Sequence, residues 1–475
     1  MKSHETVESL FPLKVTKEEK RRIVQLFSRH INRGQVQYLK AGHLDVLESR
    51  RRGAGFTDPE TGFEMIDCFT SAGCFNVGRS NQELLKSLDE ALDMLDMGDH
   101  TMVSPYKAAF AGALVEIAPG DLDHVITVSG GGDAVDGAIK LARGATGRRG
   151  VISTVKAYHG HTGFALSANG KAHYRSYCEP LMPDFHFVPF NDPGAMKLKA
   201  GPDIAAIIIE PVQGEAGIYV ADGDYLRELR GICDRHGIML IFDEVQTGFC
   251  RTGRIFACEH SGVTPDIMAV AKSMGGGVYP NGAILYRGRP ELMKFVNNNP
   301  GFHRSVSGGS DLGCFVSLKV IEFIKKNRLW ENAQRMGELL KKELEIVREE
   351  NPGIIKEVRG IGLMIGIEYI HEFMGPMMSD ALAKNGVFAA YSGNAPQVMR
   401  FMPPLTIREE EIQRLMLAVR RSVDSMKTLL PLALPAAKIP FVLKLLNSER
   451  VQTVLFNWIR SLEDLYFRLA GNKRK

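Results

Sequence analysis

From about residue 120 the chain alternates short apolar runs with amphipathic stretches. The runs are "HVITVSG", "GVISTV", "DFHFVPF", "AAIIIEPV", "IMLIFDEV", "DIMAVAK" and "GAILYRG". Between several of them, segments such as "AVDGAIKLARGA" and "GDYLRELRGICDRHG" repeat apolar residues at helical spacing. This alternation predicts an α/β domain built on a mostly parallel sheet. After about residue 315 the rhythm changes. "LGCFVSLKVIEFIKKNRLWENAQRMGELLKKELEIVREENPG" reads as long helices closed by Pro352-Gly353, and "IKEVRGIGLMIGIEYI" as a strand pair turned by glycines. The expected organisation is an N-terminal segment (1–70) that contributes to a small domain, a large domain (71–325), a smaller C-terminal domain (326–430) and a helical extension (431–475). In that extension "LLPLALPAAKIPF" is apolar and interrupted by prolines. Beyond it Val451, Leu455, Trp458, Leu462, Leu465 and Leu469 recur at helical spacing. Such a helix is expected to pack on the body or on a second subunit. Because it ends in Lys473, Arg474 and Lys475, contact with lipid or a hydrophobic substrate is the alternative.

Bulk properties narrow the class. A length of 475 residues allows two or three domains, and 44% apolar with 24% charged residues is ordinary for a globular protein. The net charge of +4 is small, and no basic patch interleaves with aromatics, so no nucleic-acid partner is expected. Seven scattered cysteines form no CxxC pair. They suggest neither a disulfide framework nor a zinc site, no metal is expected, and the pattern suits the cytoplasm. The N-terminus has no apolar run long enough for a signal peptide. No stretch reaches the roughly 20 apolar residues of a membrane span.

Chemistry concentrates where strands are expected to end. "IFDEVQTGFCRTG" (241–253) places Asp243 and Glu244 behind an apolar strand, and "PDIMAVAKSMGGG" (265–277) places Lys272 in a similar position. In open α/β sheets ligands gather beyond the carboxyl ends of strands. "SGGGDAVDGAIKLAR" (129–143) sets glycines before a helix, an arrangement able to cradle a phosphate. It lacks the third glycine of a dinucleotide fingerprint, since Val135 stands there.

With "YHG" at 158–160 and "EPVQGEAG" at 210–217, these residues occur in the order and spacing of class III aminotransferases. The chain resembles that family from about residue 30 to 425, and most closely its putrescine (ω-diamine) branch, through "FNVG", "FACEH" and "MPPLTI". The resemblance implies the PLP-dependent transferase fold type I, with a large α/β domain and a smaller α+β domain. It also implies pyridoxal 5'-phosphate as cofactor and a homodimer with active sites at the interface. By the same resemblance Lys272 is the Schiff-base lysine and proton shuttle, and Asp243 pairs with the pyridine nitrogen and keeps it protonated. Val245 and Tyr158 flank the ring, His159 belongs to the same cofactor site, Gln246 reaches the phenolic oxygen, and Gly131 and Gly132 cradle the phosphate. Glu244 reads as a structural neighbour.

Two positions depart from the family pattern. Relatives usually have S-G-(S/T)-E-A where this chain has Gly130-Gly131-Gly132-Asp133-Ala134, and a Thr where it has Val306. That Thr reaches the partner subunit's phosphate, and valine cannot donate a hydrogen bond. Either Ser305 or Ser307 substitutes, or the cofactor is held more weakly.

For substrates, the resemblance makes Arg400 the anchor for a keto-acid carboxylate and Glu215 its alternative partner when the amine donor carries none. His161 stands where the γ-aminobutyrate branch usually has an arginine, which points to a diamine or simple ω-amine. The expected reaction takes a primary amine to an aldehyde while 2-oxoglutarate or pyruvate becomes an amino acid, in ping-pong fashion. The alternatives are an isomerase or decarboxylase of the same fold, an aminotransferase whose tail handles a long-chain amine, and a binding protein that has lost catalysis.

Overall fold

The computed structural model describes residues 14–41, 44–98 and 102–437. The seven apolar runs form one seven-stranded sheet: β1 (Leu122–Val128), β2 (Gly150–Thr154), β3 (Phe185–Val188), β4 (Ile204–Ile209), β5 (Met239–Asp243), β6 (Ile267–Val270) and β7 (Gly282–Arg287). Their spatial order is β1-β7-β6-β5-β4-β2-β3. Only β7 runs against its neighbours; the β6–β5, β5–β4, β4–β2 and β2–β3 pairs are parallel. Every residue of β4 and β5 is buried, which explains their unbroken apolar sequence: helices cover both faces, so no alternation survives.

Helix α1 (Gly131–Thr146) shows how the layers form. Ala134, Val135, Ala138, Ile139, Leu141 and Ala142 are buried, and they join a core with Ile208, Ile241, Ala269 and Ile284 of the sheet. Gly147 ends the helix at φ 68°, returning its N–H to the Arg143 carbonyl.

A second body packs on the second of the chain's two long helices, Asp311–Asn327 and Leu329–Glu350, which are separated by left-handed Arg328. Strands Ile355–Ile361, Met364–Tyr369, Ala395–Phe401 and Ala390–Ser392 make an antiparallel sheet in that order. N-terminal strands Ser49–Arg52, Gly55–Thr57 and Glu64–Asp67 make another, closed by a parallel pairing with Val387–Phe388. The mixed α/β architecture is that expected for fold type I. The last helix, Glu409–Ala437, runs on past residue 430, and the rest of the expected C-terminal extension, 438–475, lies outside the described residues. Among the described residues no helix is long and apolar enough to cross a membrane.

Arg251, in the turn that follows β5, ties the two bodies together. It is fully buried, and its guanidinium donates to the carbonyls of Leu363 (2.8 Å) and Pro403 (2.6 Å) and to the Asn76 side chain.

Candidate active site

Four adjacent parallel strands aim their carboxyl ends at one place. Asp243 is the last residue of β5, opposite Ala269 of β6. Lys272 follows β6 by two residues, Glu210 follows β4 directly, and Tyr158 and His159 follow β2. The turn after β1 brings Gly130–Gly132 to the same end.

Asp243 is held from two sides. Its Oδ2 lies 2.7 Å from His159 Nδ1, and its Oδ1 accepts the Val245 N–H at 3.1 Å. The ring of His159 is fully buried, with Nε2 3.4 Å from Ser153 Oγ. Burial pulls its pKa down, but the hydrogen bond and charge of Asp243 outweigh that and raise it above the ordinary value. His159 therefore enters the site behind Asp243, through the carboxylate. Glu244, by contrast, turns away: it accepts the N–H groups of Ala257 (3.0 Å) and Cys258 (2.8 Å) and the Thr247 hydroxyl. Its work is to hold the turn.

Lys272 is partly exposed at the pocket floor. Its backbone is left-handed, φ 46°, a strained state for a residue with a long side chain. Burial lowers its pKa, against the charges of Cys74, Glu215 and Asp243, and a larger neutral fraction makes an amine more nucleophilic. Val245 and Gln246 are also partly exposed. Gln246 Nε2 donates to the Ala72 carbonyl at 3.2 Å, in a loop where Thr70, Ser71 and Ala72 all have positive φ. Its Oε1 passes so close to Gly214 that a Cβ there would stand 1.6 Å away.

The glycine turn passes the test for a phosphate cradle. A Cβ at Gly131 would meet Val245 Cγ1 at 2.8 Å, and one at Gly132 would meet Thr162 Oγ1 at 2.9 Å. Gly160, at φ 127°, packs so close to the same turn that a Cβ on it would lie 3.1 Å from Gly132 Cα. Only glycine lets the three segments converge on a helix N-terminus, whose first N–H groups lack intrahelical partners. Asp133, where relatives have Glu, spends its carboxylate on the Ser129 N–H and hydroxyl. His303 adds a bond at 3.0 Å. Despite partial burial, these contacts lower the Asp133 pKa to about 2. Ser305 accepts the Gly308 N–H at 3.1 Å, and Ser307 and Val306 are exposed. This loop packs behind the turn at 127–129, and among the described residues neither serine bonds Lys272 or Asp243.

At the pocket's other wall, Arg400 of strand Ala395–Phe401 pairs with Glu215 of the loop after β4. Arg400 also donates to the Tyr391 carbonyl at 3.3 Å, while its Nε is buried without a hydrogen-bond partner. Glu215 Oε2 accepts the Gly393 N–H at 2.9 Å. Burial raises the Glu215 pKa, but the Arg400 charge and that N–H prevail and hold it below the ordinary value. His161 stands edge-on to Tyr158, ring centroids 5.6 Å apart.

Three residues that the sequence reading passed over also belong here. Glu210, buried, accepts the Tyr158 N–H at 3.0 Å. Burial, opposed by His159 and aided by Asp243, pushes its pKa up to about 7. It sits in the same "EPVQGEAG" motif as Glu215, which was the available signal. Thr162 reaches the glycine turn and bonds Asp136. Tyr174 packs on Tyr158 and His161, with no motif to announce it.

The profile of the class-III aminotransferases matches residues 38–423. The chain belongs to that family. An uncharacterized aminotransferase of Archaeoglobus fulgidus is 39% identical over 393 residues, covering 83% of this chain and 92% of that one. The ornithine aminotransferase of Toxoplasma gondii, crystallised with PLP at partial occupancy in its active site, superposes with a TM-score of 0.75. It is 28% identical, with 81% of this chain and 91% of that chain covered. An (S)-enantioselective omega-transaminase of Thermomicrobium roseum gives 0.74 at 29% identity, covering 80% and 92%. This aminotransferase is thus a PLP-dependent enzyme, and the lysine, carboxylate and glycine cradle of its pocket fit that cofactor.

Proposed function

We propose that this enzyme transfers an amino group from a primary ω-amine or diamine of the putrescine class to 2-oxoglutarate or pyruvate. It would do so in two alternating half-reactions, as a cytoplasmic homodimer. The observation that carries this reading is the Glu215–Arg400 pair, whose arginine keeps one buried N–H unpaired. With Glu215 in place, the pocket wall is neutral and suits a donor without a carboxylate. With Glu215 displaced, the guanidinium fork is open to a keto-acid carboxylate. His161, in place of an arginine, leaves no fixed cation beside Tyr158 for the carboxylate of γ-aminobutyrate. The relative named for ornithine acts on a molecule that also carries a terminal primary amine, which supports the same donor class. None of the seven cysteines is in a disulfide, which suits a cytoplasmic setting.

PLP, when bound, supplies an electron sink for the carbon that gives up its proton. Lys272 would hold its aldehyde and then, freed by the substrate amine, carry that proton on Nζ. Asp243, oriented by His159, would keep the ring nitrogen protonated. Tyr158, fixed through its backbone by Glu210, and Val245 would flank the ring, and Gln246 would reach its phenolic oxygen. The N–H groups of Gly131 and Gly132 would meet the phosphate. Ser305 or Ser307 would serve the partner's phosphate across the dimer.

The test is glutamate formation from 2-oxoglutarate with putrescine, cadaverine and γ-aminobutyrate as donors. Keto-acid-dependent turnover with the diamines, and weaker turnover with γ-aminobutyrate, is expected. A preference for γ-aminobutyrate would overturn the donor assignment, and turnover independent of any keto acid would overturn the reaction.

A further inference from the structure

A gate in which Glu215 leaves Arg400 raises a question of its own: where does the carboxylate go? It is held in a largely buried corner, and a charged oxygen that loses a guanidinium there without a new donor is costly. Oε2 already accepts the Gly393 N–H at 2.9 Å. Oε1, which faces Arg400, needs a replacement.

Tyr174 supplies it. The residue sits on the short helix Ala172–Arg175, and its ring stands edge-to-face against Tyr158 (centroids 5.5 Å) and His161 (5.8 Å). These contacts bring the phenol over Gly393. A Cβ at Gly393 would lie 3.0 Å from Tyr174 Oη and 3.1 Å from Glu215 Oε2, so both oxygens face the same point above the backbone that already holds the carboxylate. The phenol keeps its proton throughout the working range, because burial and then the negative charge of Glu215 push its pKa up. The neighbouring donors are engaged. Asn394 Nδ2 binds the Lys156 carbonyl at 2.9 Å, and Asn394 N–H binds the Glu215 carbonyl at 3.0 Å. Lys171 Nζ donates to the Gly393 carbonyl at 3.3 Å and is the rival cation.

We infer that Tyr174 is the receiving residue of the gate: when a keto-acid carboxylate occupies Arg400, the displaced Glu215 carboxylate is held by the Tyr174 hydroxyl together with the Gly393 N–H. This rests on the reading of Glu215 and Arg400 as an exchangeable pair. Tyr174 acts through Glu215 and is a positioning residue. It favours the open gate alone, so its loss should weaken keto-acid binding and leave the amine half-reaction almost untouched.

The experiment measures the two half-reactions separately on PLP-loaded enzyme, with putrescine and with 2-oxoglutarate, for wild type, Tyr174→Phe, Lys171→Met and Arg400→Ala. Phenylalanine keeps the ring contacts with Tyr158 and His161, and the putrescine half-reaction of the same preparation reports that the site is intact. Tyr174→Phe is expected to need about tenfold more 2-oxoglutarate for half-saturation, the scale of one hydrogen bond to a charged group. Its limiting rate, and its putrescine half-reaction, should stay within about twofold. Unchanged saturation, an equal loss in both half-reactions, or a keto-acid effect in Lys171→Met but not in Tyr174→Phe would overturn the proposal. An Arg400→Ala enzyme with normal keto-acid saturation would sink the gate reading itself, and the proposal with it. A selective Arg400→Ala defect beside a silent Tyr174→Phe would sink the proposal alone.

Discussion

The floor and the wall of this pocket are built on different terms. On the floor, Asp243 ends, and His159 and Lys272 follow, parallel strands of a single sheet, and the acid is fixed by the buried His159 ring and the Val245 N–H. At the wall, Glu215 comes from the loop after β4 and Arg400 from a strand of the four-stranded antiparallel sheet. Glu215 keeps partial solvent contact, and Arg400 leaves an N–H unpaired. Fixed partners suit chemistry common to both half-reactions, because preorganised groups need no rearrangement as charge develops. Exchangeable partners would suit the proposed pocket, which would take two unlike substrates in turn. The contrast makes a specific demand: floor variants should damage both half-reactions alike, and wall variants only one.

Lys272→Ala is the most severe way to test it. Both half-reactions should slow by about 10⁴-fold, as measured by single-turnover absorbance. Asp243→Asn keeps the shape and removes the charge, and both should slow by roughly 100- to 1,000-fold. Arg400→Ala should cost about 100-fold in kcat/KM for 2-oxoglutarate, the scale of a charge-assisted fork, and much less for putrescine. Equal losses for the two substrates would break the distinction between floor and wall. The smallest effect concerns His159. Because its folded-state pKa is raised, its pairing with Asp243 contributes stability fully present below histidine's usual value of about 6.5. That contribution is lost as pH rises through the raised value. The gap in Tm between wild-type and His159→Gln protein should therefore narrow on going from pH 6 to pH 9. A gap that widens would contradict a protonated His159.

The same contrast explains what could be read from the chain. The floor is local in sequence: an acid or amine directly after an apolar run, and glycines before an amphipathic helix. Strand order and direction then follow from packing rules that act on those runs. The Asp243–His159 bond spans 84 positions and carries no spacing signal, so His159 could be placed in the site but not behind the carboxylate. Arg251 is a sharper case. An arginine in a glycine-rich turn looks ready for an anion, yet its guanidinium is consumed by carbonyls 112 and 152 positions away. Tyr174 was illegible for the opposite reason. It lies in a polar, exposed stretch, and only the fold sets its ring against Tyr158 and His161. The two departures at the phosphate resolve differently. Glycine at 131 and 132 is what the crowding by Val245 and Thr162 requires. Val306 points its side chain into solvent, 85% exposed, and nothing in the chain's own pocket explains it.

The measurement that tests the central claim most directly is the visible absorbance of PLP-loaded, desalted enzyme through one complete cycle. A cofactor band should survive desalting, bleach on adding putrescine and return on adding 2-oxoglutarate, with glutamate formed in proportion. A band that putrescine leaves unchanged, or that bleaches and is restored by no keto acid, would contradict an ω-amine aminotransferase with a single two-substrate pocket.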